Sequence, residues 1–242
     1  MPRRVPFLTY FGGILCLLGS LSLSAQTVSI APSTPSATTE TLSTAQRLEQ
    51  MGLVNVTTLD SSLIVRLPYA TTANFTGEVL YEDLDQAFLQ PEAAAKLQQA
   101  VRILRRLHPE YRLLIYDAAR PLSIQRRMWQ IVQGTSHQIY VSNPAKGGGL
   151  HNYGAAVDLT LADRDGHPIP MGTPFDHFGP EAHIDREAEL VSQGKITAAE
   201  AHNRQLLRQV MREAGFIPLR SEWWHFNALR LADAKLRYPL IE

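Results

Sequence analysis

Two short segments carry side chains that a hydrophobic core does not need. In Gly147-Gly148-Gly149-Leu150-His151-Asn152-Tyr153-Gly154-Ala155-Ala156-Val157-Asp158 an imidazole precedes a carboxylate across a glycine turn. If the chain is extended from Ala156 to Leu161, Val157, Leu159 and Leu161 share one face and Asp158 projects from the other, free to meet His151. Neutral imidazole and carboxylate are both suitable zinc ligands, although the same two residues would also serve as an ion pair that pins a loop. The second segment, Ser221-Glu222-Trp223-Trp224-His225-Phe226, is short, aromatic and strand-prone. His225 would complete a His-Asp-His set and leave the fourth tetrahedral position open, which separates catalytic from closed structural zinc sites. Glu222 would then be the base that takes a proton from water activated there. Strand alternation puts residues 222 and 225 on opposite faces, so Glu222 is expected at the twisted entrance of the strand. For Trp223 and Trp224, and for His225 taken alone, core packing is the competing reading.

A third feature is Leu113-Leu114-Ile115-Tyr116-Asp117-Ala118-Ala119-Arg120-Pro121. Proline forces Arg120 out of the helical region, so the chain turns there between a strand and a helix. A guanidinium at that turn is placed to hold a carboxylate or a developing oxyanion, or to pair with Asp117 as a staple of the turn. His108, His137, His167 and His202 read as surface residues, and His177 with His183 as a rival metal set. A single cysteine, Cys16, rules out a CxxC site and a thiol nucleophile, and there is no Gly-x-Ser-x-Gly elbow for a serine nucleophile.

The elements that must position these groups follow from periodicity. Pro91 opens a helix with Ala94, Leu97, Val101 and Leu104 on one side, reaching about Leu107. Ile124, Met128, Ile131 and Val132 repeat the pattern after Pro121. Thr197-Ala198-Ala199-Glu200 is a capping box for a helix with Leu207, Val210, Met211 and Ala214, stopped by Gly215. Strand-like runs fall at Leu63–Leu67, Leu113–Tyr116, Ala155–Leu161 and Glu222–Phe226. Strands and helices do not alternate strictly, which predicts an α+β domain: a small, mainly antiparallel sheet carrying the zinc site, packed against helices.

The 242 residues are 45% hydrophobic and 19% charged, with 23 Lys+Arg against 23 Asp+Glu. That balance argues against a nucleic-acid binder, a basic membrane-surface protein or an acidic tail. Arg3 and Arg4 precede an apolar run from Phe7 to Leu23 ending in Ser22-Leu23-Ser24-Ala25, the order of a secretory signal over residues 1–25, with an uncleaved anchor as the alternative. The expectation is an exported protein, periplasmic or extracellular, with no integral span after cleavage. Residues 26–45, rich in Ser, Thr and Pro, read as a flexible tether, and residues 46–242 as the catalytic domain. Oligomeric state is not specified.

His151-x-x-Gly154-x-Ala156-x-Asp158 followed by Glu222-Trp223-Trp224-His225 resembles the zinc peptidases that act on peptidoglycan peptides, and among them the VanX-type D-alanyl-D-alanine dipeptidases. The similarity runs from about Tyr69 to Phe226 and includes Tyr69-Ala70-Thr71-Thr72-Ala73-Asn74-Phe75-Thr76-Gly77, Asp117-Ala118-Ala119-Arg120-Pro121 and Met171-Gly172-Thr173-Pro174-Phe175-Asp176. Five motifs in order make a specific match. The resemblance implies one zinc ion per chain on His151, Asp158 and His225, Glu222 as general base, and Arg120 stabilising the tetrahedral intermediate. It also implies Asp176 and Tyr69 near the free amino end of a small dipeptide substrate from cell-wall metabolism. The family usually has Ser two residues before the first ligand; here that position is Gly149, a departure that bears on selectivity more than on hydrolysis. The alternatives are a D,D-carboxypeptidase or endopeptidase on longer wall peptides, and a non-catalytic zinc-stabilised wall-binding module. A base beside an open ligand set counts against the last.

Overall fold

The computed structural model describes residues 42–242, together with Thr9 and Gly12. The expected export signal, those two residues apart, and the tether up to residue 41 lie outside the described residues. Among the described residues the strands are β1 (Val54–Asn55), β2 (Ile64–Val65), β3 (Phe88–Leu89), β4 (Arg112–Asp117), β5 (Ala156–Ala162), β6 (Ile217–Leu219) and β7 (Glu222–Asn227). The helices are α1 (Thr44–Gln50), α2 (Pro91–Leu107), α3 (Leu122–Val132), α4 (Glu187–Ser192), α5 (Ala198–Glu213) and α6 (Leu231–Arg237). Helix α1 begins at Thr44 because Ser43 and Gln46 cap each other reciprocally, so regular structure starts inside the stretch expected as tether.

The main sheet has the order β2-β4-β5-β7-β6, with β2 parallel to β4 and every other pair antiparallel, while β1 and β3 pair separately. The protein is therefore α+β. Helices α2 and α5 pack on each other and against the sheet. Helix α2 starts with Pro91 at its first turn and buries Ala94, Leu97, Val101 and Leu104 as the spacing predicts. In α5 the Thr197–Glu200 box is formed in both directions, and Leu207, Val210 and Met211 are buried. Helix α3 buries Met128 and Val132 but leaves Ile131 exposed, so its apolar stripe is narrower than the sequence suggests. The short α1, α4 and α6 and the edge strand β6 carry too few periodic residues to announce themselves.

Alternation holds along β5, where Val157, Leu159 and Leu161 enter the core. Two irregularities then decide what faces the site. Strand β4 pairs Leu113 with Leu161 and Ile115 with Leu159, after which the register shifts and Asp117 stands opposite Asp158. Strict alternation would leave Asp117 on the core side with Leu113 and Ile115; the bulge at Tyr116 turns it to the side of Asp158. The β6–β7 pairing shifts between Pro218 and Leu219, where Glu222 enters the sheet opposite Leu219.

Candidate active site

Register places Asp117, Asp158 and His225 side by side on three neighbouring strands. His151 reaches the same spot from a 3-10 turn over Leu150–Tyr153, ended by Gly154 in the left-handed region at φ 64°. Of the preceding glycines, Gly147 and Gly148 are conformationally required. Gly148 has φ 64°, and a Cβ there would lie 2.2 Å from Asn152 Oδ1, the atom that accepts from Gly149 N–H. Asn152 Nδ2 donates to Arg120 O at 2.8 Å, and Arg120 N–H donates to His151 O at 3.0 Å, so the His151 turn and the Arg120 turn are stitched together.

One atom each of His151, Asp158 and His225 lie within 4.8 Å of one another, and all three residues are buried. His151 Nδ1 is 2.7 Å from Ala118 O, a group that can only accept, so Nδ1 carries the proton and Nε2 presents a lone pair. His225 Nε2 donates to Asn227 Oδ1 at 2.8 Å, which leaves Nδ1 as the second lone pair. These nitrogens are 3.1 Å apart, with Asp158 oxygens 3.3 Å from His151 Nε2 and 2.9 Å from His225 Nδ1. The two remaining ring nitrogens thus face the Asp158 carboxylate, an arrangement that a shared proton or a metal cation satisfies. Tetrahedral zinc with bonds of about 2.0–2.1 Å separates its ligands by roughly 3.3 Å, so the donor set fits a metal in both chemistry and spacing. Burial opposes ionisation of Asp158, but His151 and His225 beside it hold its carboxyl well below the usual carboxylate range. Burial likewise opposes charge on His151, and Asp158 outweighs it and raises the imidazole pKa.

Arg120 is buried and its N–H groups are largely committed: Nε and Nη2 donate to Asp117 Oδ2, and Nη1 donates to Gln125 Oε1 at 2.9 Å. The turn staple with Asp117 is therefore present, and it holds the guanidinium in the cavity wall, with Nη2 3.8 Å from Asp158 Oδ2. The other Asp117 oxygen accepts from Tyr81 Oη at 2.6 Å. Tyr69 lies under the same guanidinium, 5.4 Å from ring centre to Cζ, and its hydroxyl donates to Asp176 Oδ2 at 2.7 Å. Burial, with Asp176 adding to it, pushes the Tyr69 hydroxyl pKa up, so it remains a donor. Burial also pushes the Asp176 carboxyl up to about 8.

Tyr69, Arg120, His151, Asp158, Asp176 and His225 line one cavity of about 330 Å³, and Glu222 lines it too. Odd spacing does not separate Glu222 from His225, because the irregular start of β7 bends the strand. Burial pushes the Glu222 carboxyl up to about 8, with nearby Asp158 and Asp176 adding to the rise. Phe75, Met128, Tyr140, Val141 and Phe178 supply an apolar part of the wall. Ser142 occupies the space that a side chain at Gly149 would take, its Oγ 2.6 Å from where a Cβ would stand.

The rival pair is not gathered: among the described residues His177 meets Glu181 and His183 meets Asp185 instead. A second cluster, Asp163, Asp165 and His167, lies in the largely exposed turn after β5, where Asp163 accepts from the backbone of Asp165 and His167. Trp223 and Trp224 are core residues, yet Trp224 also lines the cavity. Sequence reasoning missed Asn227, Gln125 and Tyr81, which orient His225, Arg120 and Asp117. Asn227 was findable, since on a strand the residue two beyond a ligand lies on the same face.

The D-ala-D-ala dipeptidase family model, Peptidase M15, matches residues 49–239. The chain is 31% identical to the D-alanyl-D-alanine dipeptidase of Escherichia coli (strain K12) over 189 residues, 78% of this chain and 89% of that protein. It is 28% identical to the protein of the same name from Synechocystis sp. (strain ATCC 27184 / PCC 6803 / Kazusa), covering 66% of this chain and 74% of the relative. It is 31% identical to that of Enterococcus faecium, over 65% and 82%. Matched along nearly all of its described length, the chain belongs to the D-ala-D-ala dipeptidase family of metal-dependent peptidases.

Proposed function

We propose that this protein hydrolyses D-alanyl-D-alanine to two D-alanines, with one zinc ion held by His151, Asp158 and His225. The observation that carries the reading is the convergence of one ligand atom each from His151, Asp158 and His225 in a cavity that also holds Glu222, Arg120 and Asp176. When bound, zinc supplies a Lewis acid that acidifies water and polarises the scissile carbonyl. Glu222 is the general base. Its half-buried carboxyl, high in the absence of a cation, is drawn toward neutrality by a dication nearby, where it can both take and return a proton. It accepts the proton of the attacking water and delivers it to the leaving amine. Arg120, fixed by Asp117 and Gln125, keeps its uncommitted N–H groups for the developing oxyanion. Asp176, held by Tyr69, receives the substrate ammonium, whose charge stabilises the ionised carboxylate.

The test is turnover with metal content. Glu222→Gln should lower kcat by about 10²–10⁴ with zinc stoichiometry unchanged, the range expected for a general base. Substantial remaining activity sinks the assignment. Comparing D-Ala-D-Ala with L-Ala-L-Ala and with a wall pentapeptide separates the dipeptidase from a carboxypeptidase or endopeptidase; Asp176, as a partner for a free ammonium, favours the free dipeptide. The charged, apolar and small-residue order of residues 1–25 supports export, which cell fractionation tests.

A further inference from the structure

Arg204 stands on α5 beside Leu207, Val210 and Met211 and is only 1% exposed. A buried guanidinium is ordinarily met by a carboxylate. Among the described residues none forms an ion pair with it, and nearby Glu187 is taken by Arg208 through hydrogen bonds of 2.9 and 2.7 Å. Burial lowers the Arg204 pKa to about 10, so the charge persists at neutral pH. Its partners are backbone carbonyls: Nε donates to Met171 O at 2.6 Å and Nη1 to Glu181 O at 2.9 Å. One planar group thereby closes both ends of the segment between residues 171 and 181. The guanidinium lies 5.9 Å over the ring of Trp223, whose Nε1 donates to Thr173 Oγ1 inside the same segment at 2.8 Å. Nη2 is buried and meets no hydrogen-bond partner among the described residues.

What the segment carries is Phe175, packed edge-on against Tyr69 and Trp224, and Asp176. Asp176 is the one non-glycine residue at positive φ among the described residues, at 59°. Such a conformation persists only where the surroundings hold it. We propose that Arg204 is a positioning residue for the amine end of the cavity: its two-pronged clamp on residues 171 and 181 fixes Asp176 against Tyr69. The proposal rests on the reading that Asp176 receives the substrate amine.

The test uses the metal-loaded enzyme with Arg204→Met and Arg204→Lys, the latter keeping the charge without the fork. Arg204→Met should lower kcat/KM for D-Ala-D-Ala at least tenfold, chiefly through KM. Amide exchange should speed up within 171–181, and metal content should stay unchanged. Arg204→Lys should fall between the two. Unchanged exchange in that segment, kcat/KM within twofold of wild type, or a loss carried by kcat alone overturns the proposal. If Arg204→Met does not fold, Thr173→Val removes the Trp223 anchor and should raise KM in the same direction; an unchanged KM then overturns it. Asp176→Asn separates the two layers. If it leaves KM unchanged while Arg204→Met raises it, the amine reading falls and the clamp stands. If it raises KM and Arg204→Met does not, the clamp falls and the amine reading stands.

Discussion

Asp176→Asn should cost the enzyme its activity and make the metal-free protein more stable, by an amount that grows as pH rises from the ordinary carboxyl value of 3.8 to about 8. Burial raises the Asp176 carboxyl to about 8 from an ordinary 3.8, despite a hydrogen bond from Tyr69 that favours the ionised form. Between those values the folded state holds a proton that the unfolded chain has released. Stability therefore falls as pH rises through this window and levels off above it. A gap of about four units, at roughly 1.4 kcal/mol each, sets a ceiling near 6 kcal/mol, and relaxation with residual solvent contact brings the expected effect to about 2–3 kcal/mol. Asparagine has the same shape, keeps an oxygen for the Tyr69 hydroxyl and tolerates the left-handed backbone, and it does not ionise. Urea unfolding of both proteins in chelator, at about pH 4.5 and pH 8.5, gives the difference directly. The variant should gain the stated amount at the higher pH relative to the lower. A difference between the proteins that is the same at both pH values refutes the burial argument, since any benefit of Asn to the backbone alone does not depend on pH.

Asn227→Leu removes the acceptor that fixes the His225 tautomer, so zinc affinity by competition titration should weaken about 10–100-fold with the fold intact; unchanged affinity removes Asn227 from that role. Gly149→Ser needs no unusual backbone, since φ is −113°, but pushes a Cβ to 2.6 Å from Ser142 Oγ. It should destabilise by about 1 kcal/mol in urea, and Ser142→Gly in the same chain should restore the loss. Because Asp158 raises the His151 pKa in the metal-free protein, a proton competes with the metal there as pH falls. Zinc affinity by calorimetry should fall as pH drops from about 8.5 to 6.5, approaching tenfold per unit for each proton displaced, and a flat profile contradicts the ligand assignment.

The sequence was most informative where one local rule decides the outcome. The proline start of α2, the Thr197–Glu200 box of α5 and the alternation of β5 each depend on a few neighbouring residues and are formed as read. His151, Asp158 and His225 were legible as a set because core packing gives no reason for their types at those places. What stayed hidden depends on register. The bulge that turns Asp117 toward Asp158, and the bend that brings Glu222 to the cavity of His225, come from strand pairing across long separations. Arg204 was hidden for a related reason: on a helical wheel it is one more charged residue among apolar neighbours, and the carbonyls it holds are more than twenty residues away in sequence.

The row Asp117, Asp158 and His225 is drawn from three strands that need not come together in this order during folding. A slip of one residue between β5 and β7 would keep most backbone hydrogen bonds yet put Asp158 and His225 on opposite faces of the sheet. A misregistered molecule would therefore keep much of its secondary structure and have no metal site. Metal uptake during refolding thus counts correctly threaded sheets, and it separates them from compact molecules that circular dichroism cannot tell apart.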